Sequence, residues 1–137
     1  MPGWQNVVSA TFILQIAVSL FLAILFLQSS IDKIVDRGGN LDWLRGHFSK
    51  SPLGSVVPLL LTAITILELA AGLLSAIGCV LVVIHRSSTC AFYGAVLSSL
   101  AVIALFFGQR MAKDYPGAAV LASYFLVTLA GIYILSL

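Results

Sequence analysis

Four long apolar runs, at about 7–27, 56–84, 90–107 and 117–137, leave this 137-residue chain few ways to fold. A hydrocarbon core of about 30 Å takes roughly 20 helical residues at 1.5 Å each. All four runs fit that length, the third on the short side. The runs predict an all-α, single-domain integral membrane four-helix bundle with both termini on one face. Composition agrees. Hydrophobic residues make up 61% of the chain and charged residues 9%, against roughly 25% charged in a soluble domain. The mean hydropathy is +1.11. A soluble globular domain, a disordered chain, a collagen and a coiled coil are excluded. A net charge of +2 on so few ions does not suit nucleic acid, so the partner this composition names is the lipid bilayer.

The charges mark the loops. Asp32, Lys33, Asp36, Arg37, Asp42, Arg45 and Lys50 fall in the first, Arg86 alone in the second, and Arg110, Lys113 and Asp114 in the third. Six basic residues in loops one and three face one in loop two. By the positive-inside rule, loops one and three are cytoplasmic and both termini outside. In a bacterium that is a multi-pass protein of the inner membrane. The first run reads as a retained helix and not a leader, because residues 1–6 hold no Lys or Arg and no small-x-small site precedes Asp32.

Polar and small residues form stripes on the helices. Thr11, Gln15 and Ser19 line the first; Thr62, Thr65, Glu68, Gly72, Ser75 and Cys79 line the second. Gly94, Ser98 and Ala101 mark the third, and Gly117, Tyr124, Thr128 and Gly131 the fourth. Such stripes turn inward in a membrane bundle, because lipid satisfies no polar group. In loop one, Gly38-Gly39 is expected to end the first helix. Asn40 is expected to cap a short amphipathic helix, 41–48, whose Leu41, Leu44 and Phe48 share a face. Pro58 is tolerable in the first turn of the next span.

Glu68 is the charge with no topological role. It lies ten residues beyond Pro58, about 15 Å along the helix. An acid at that depth costs on the order of 3 kcal/mol or more unless it is neutral, paired or hydrated. It is either a functional group partnered by Lys33, Arg110 or Lys113, or a protonated packing contact to Gln15, Thr65 or a facing hydroxyl. Gln28, Asp32 and Lys33 close the first helix, while Gln109, Arg110, Asp114 and Tyr115 bridge the third and fourth. With Glu68 these eight residues form a candidate polar pocket, lidded by 43–48.

Cys79 and Cys90 flank loop two. They read as two small buried thiols, as a disulfide stapling the loop, or as a redox pair. Their spacing of eleven is not C-x-x-C. His47 and His85 fall on opposite faces, which leaves no bis-His haem, and no cluster has metal-ligand spacing.

Two stretches resemble the DoxX-like family: Leu27-Gln28-Ser29-Ser30-Ile31-Asp32-Lys33, closing the first helix, and Ile66-Leu67-Glu68-Leu69-Ala70-Ala71-Gly72-Leu73-Leu74. The stretches 40–52 and 108–115 are similar to a branch found in Bacteroidetes-type bacteria. The resemblance implies a four-helix membrane protein with Lys33 and Glu68 as paired polar positions. It also implies kinship with subunits of quinone-linked sulfur or thiol oxidoreductases. Three functions are therefore expected. The first is an accessory or binding subunit, not catalytic alone, that holds a small molecule such as a quinone at the Glu68 site. The second is a thiosulfate:quinone-type subunit with a membrane or periplasmic redox partner. The third is an assembly factor or small transporter. An oligomer is compatible with each.

Overall fold

The computed structural model describes the backbone of residues 3–137 and the side chains from Ala10 onward. Five α-helices follow one another: α1 (Gly3–Val35), α2 (Arg37–His47), α3 (Val57–His85), α4 (Thr89–Met111) and α5 (Tyr115–Leu135). A 3-10 turn, Pro52–Val56, leads into α3. The fold is all-α, a bundle of α1, α3, α4 and α5 with α2 as the short helix of loop one. Four segments are long and apolar enough to cross a membrane: Ala10–Val35, Pro52–His85, Thr89–Met111 and Tyr115–Leu135. Their outward faces carry exposed Leu59, Ile66, Leu126 and Ile13. So much bare aliphatic surface suits hydrocarbon and not water, and the chain is a multi-pass membrane protein.

The helices outrun their apolar stretches. α1 continues through Asp32 and Lys33 to Val35, and α4 through Gln109 and Arg110 to Met111. A helix stops where a cap supplies its loose backbone groups, not where hydrophobicity stops. Gly38-Gly39 does not end α1. The break comes at Asp36, whose carboxylate accepts the Gly39 N–H at 3.3 Å and caps α2. A Cβ on Gly39 would lie 2.5 Å from Asp36 Oδ2, so the carboxylate sits close against the glycine and would shift for a larger residue. Asn40 is therefore not the cap. Its amide donates to the Asp36 carbonyl at 2.7 Å and ties α2 back to the end of α1.

At the α4–α5 turn, Lys113 adopts a left-handed φ of 61°. The Lys113 N–H reaches the Arg110 carbonyl and the Asp114 N–H the Gln109 carbonyl, which is a Schellman ending. Asp114 then caps α5 through the Gly117 N–H at 2.9 Å. The result is a short antiparallel hairpin of α4 and α5.

α3 packs most heavily, against α1 on one side and α4 on the other, and α4 packs on α5. Small residues permit this: a Cβ on Gly78 would run into the Ala91 backbone. The stripes mostly face inward as expected, with Gln15, Ser19, Thr65, Glu68, Ser75, Ser98 and Thr128 buried. Thr62 departs from its stripe and is exposed. Its hydroxyl instead accepts from Arg37 at 2.8 Å. α1 and α5 meet at the end remote from α2, where Gln15 donates to the Ile134 carbonyl and Gly131 lies against Val18. Towards α2 the bundle opens.

Candidate functional site

The opening at the α2 end is a cavity of about 650 Å³. α3 lines it with Val57, Leu60, Leu61, Ile64 and Leu67; α4 adds Leu105 and Phe107, and α5 adds Val120 and Leu121. α2 crosses it with Trp43, Leu44 and His47, followed by Phe48. Among these apolar walls stand four polar side chains: Lys33, Asn40, His47 and Gln109.

Lys33 joins this cavity to the buried acid. Its Nζ lies 2.9 Å from Glu68 Oε1, with Glu68 1% and Lys33 18% exposed. The approach is oblique, so Oε1 has the charge contact without a well-directed hydrogen bond. The ammonium also donates to Ser29 Oγ at 2.7 Å, one turn back on α1. The contact is direct because α1 stays helical past its apolar run. Of the three candidate cations for Glu68, the structure selects Lys33.

The remaining members of the expected pocket divide. Gln109 and Asp114 form a second polar cluster around His47, whose Nε2 lies 2.7 Å from Gln109 Oε1 and 3.5 Å from Asp114 Oδ2. The imidazole stacks on Trp43 of the same helix, centroids 4.4 Å apart, while its contacts to Gln109 and Asp114 fasten α2 across the cavity mouth. Gln28 and Asp32 face outward and do not join either cluster. They sit on the exposed side of α1's last turns, opposite the Ser30 side that is buried. Arg110 is also outside, its guanidinium 4.8 Å above the exposed Tyr115 ring. Those four belong to the surface.

Sequence reasoning missed His47 and Ser29 as site residues. Both had a readable signal, since Trp43–His47 and Ser29–Lys33 stand at i, i+4, the spacing of helical neighbours. The cysteines are free and turn to different neighbours. Cys79 Sγ donates to the Ile16 carbonyl at 3.8 Å and Cys90 Sγ to the Leu74 carbonyl at 3.4 Å. The Cys79–Cys90 disulfide is thus not formed, each thiol being taken up by a helix carbonyl. No protein-family model, curated protein or solved structure matches the chain.

Chemically, the arrangement offers a place to bind. A cavity of this size lies within the usual range for small-molecule sites, which are apolar with a few placed polar groups. An ammonium has three N–H donors. Ser29 takes one by hydrogen bond and Glu68 holds the charge by ion pairing, which leaves donor capacity for an acceptor in the cavity that Lys33 lines.

Proposed function

We propose that this chain is a binding subunit of a bacterial inner membrane, DoxX-like in kind, that holds one small amphipathic molecule beneath α2. The observation that carries this reading is the Lys33–Glu68 pair on the wall of the apolar cavity. The apolar body of the ligand packs against the α3, α4 and α5 walls, and its oxygen acceptor takes the free Lys33 proton. Glu68 holds that ammonium in place. The pair is neutral overall, which favours a carbonyl or hydroxyl acceptor. Loops one and three face the cytoplasm in this reading, so the mouth under α2 opens towards that leaflet.

The test is what the protein carries. Wild-type chain purified from its native membrane in mild detergent is expected to yield one organic molecule at near 1:1 ratio on solvent extraction and mass spectrometry. Leu121→Trp fills the cavity from α5, away from the ion pair, and is expected to abolish that signal with the helical content unchanged. Equal ligand content in the two proteins would remove the proposal.

A further inference from the structure

A second cavity, of about 350 Å³, lies on the other side of His47. Gly46, Ser49, Lys50 and Ser51 line it from the end of α2, and Met111, Ala112 and Lys113 from the end of α4. Its lining is more polar than that of the first: two lysines, two serines and no carboxylate. Neither Lys50 nor Lys113 has an ion pair or side-chain hydrogen bond among the described residues. The nearby Asp114 is already committed to the Gly117 N–H and to His47. Ser51 Oγ accepts the Leu53 N–H, which leaves its own proton to donate.

Two exposed lysines that line one small cavity without a carboxylate offer an anion a complementary place. Lys113 sharpens the point. It occupies the left-handed position of a Schellman ending, with φ 61°, where glycine is the least strained residue. A side chain costs about 1 kcal/mol or more there, and the residue that takes the position lines the same cavity as Lys50. The depth is also informative. The cavity sits at the loop end of the bundle beside the exposed rings of Trp43 and Tyr115, residues typical of headgroup level.

We infer that the Lys50–Lys113 cavity is a binding site for a phosphate-bearing anion, either a phospholipid headgroup or a free phosphate. The two ammoniums neutralise the phosphate, and the Ser49 and Ser51 hydroxyls donate to its oxygens. Lysine binds phosphate as a point charge and needs no bidentate geometry. The site is independent of the ligand beneath α2, since it uses none of the Lys33–Glu68 pair.

The test uses the full chain in uncharged detergent, with the thermal unfolding midpoint as readout. The probes are phosphatidylglycerol against phosphatidylcholine, and inorganic phosphate against chloride at equal ionic strength. At least one phosphate probe is expected to raise the wild-type midpoint with saturation. Lys50→Gln and Lys113→Gln should each raise the half-saturating concentration about fivefold. Arg45→Gln removes the same charge from the same face but outside the cavity, and should leave it unchanged. A response to phosphatidylglycerol alone assigns the site to membrane lipid. A response to inorganic phosphate assigns it to the free anion class. If neither probe shifts the wild type, or if all three variants weaken equally, the site does not exist.

Discussion

Replacing Lys33 by methionine keeps a long apolar stem and removes the ammonium 2.9 Å from Glu68 Oε1. The carboxylate left behind is 1% exposed and lies eleven residues into α3. Removing one partner of a buried pair costs about 3–5 kcal/mol, mostly the penalty on the stranded charge. Insertion scales give about 3 kcal/mol for an acid at the centre of a span. Lys33→Met is therefore expected to destabilise the chain by about 3–4 kcal/mol. Glu68→Gln strands the other charge, but in a different setting. Lys33 is two residues from the end of α1 and 18% exposed, so its ammonium can turn towards the interface while Ser29 remains within reach. That change should cost about 1 kcal/mol, the worth of an ordinary hydrogen bond. The double variant has no stranded charge and should cost about 1–2 kcal/mol, less than Lys33→Met alone. The assay is equilibrium unfolding of the full chain in mixed micelles, titrated with dodecyl sulfate and followed by helical circular dichroism. If the two single variants cost the same, or the double equals their sum, the pair is not the coupled, asymmetric unit described here.

Gly78→Ala is expected to lower the unfolding free energy by about 1–3 kcal/mol, because the added Cβ runs into the Ala91 backbone. Gly38→Ala, with open space around it, should be neutral or slightly stabilising, and equal effects would contradict the packing. His47→Leu removes the contact between α2 and Gln109. Amide exchange in α2 should then rise about fivefold for a hydrogen bond worth about 1 kcal/mol, with α3 to α5 unchanged; uniform exchange across the chain would show that His47 does not hold α2. In a background lacking Cys79 and Cys90, Ser87→Cys should react with an impermeant thiol reagent applied outside cells and Asp42→Cys should not. The opposite pattern inverts the orientation.

How much of this was legible depends on the kind of signal. Spans were readable because hydrophobicity integrates over about 20 residues, so small local errors cancel. Helix ends were not, because they turn on single groups. Gly38-Gly39 looks like a stop, but Asp36 stands three residues before Gly39 and can cap a new helix there. Glu68 was legible as an anomaly of depth, and its partner only as a set of three cations. Which one pairs depends on helix continuity at the end of α1 and on rotation. Lys33 and Ser29 fall on the side facing α3, whereas Arg110 turns onto Tyr115. Gln28 and Asp32 were drawn into the site by proximity in sequence, yet one face of a helical turn is not the other.

The cavity was the least visible feature, although its cause is written in the side-chain sizes. Away from α2, the facing positions are small: Gly78 against Ala91, Gly94 against Ser75, Gly131 against Ala95 and Val18. There the helices close, and Gln15 can reach across to α5. Towards α2 the inward positions become Leu60, Leu61, Ile64, Leu67, Leu105 and Leu121. Bulky residues on three helices keep α3, α4 and α5 apart, and α1 ends at Val35 before it can fill the gap. The space is then covered from above, Phe48 resting 3.5 Å from where a Cβ on Gly108 would lie. Lys33 is the last inward-facing charge of α1 before that gap, and this is why the buried acid and the cavity share it. A single lysine thus serves both as counter-ion to Glu68 and as the polar end of an otherwise apolar chamber.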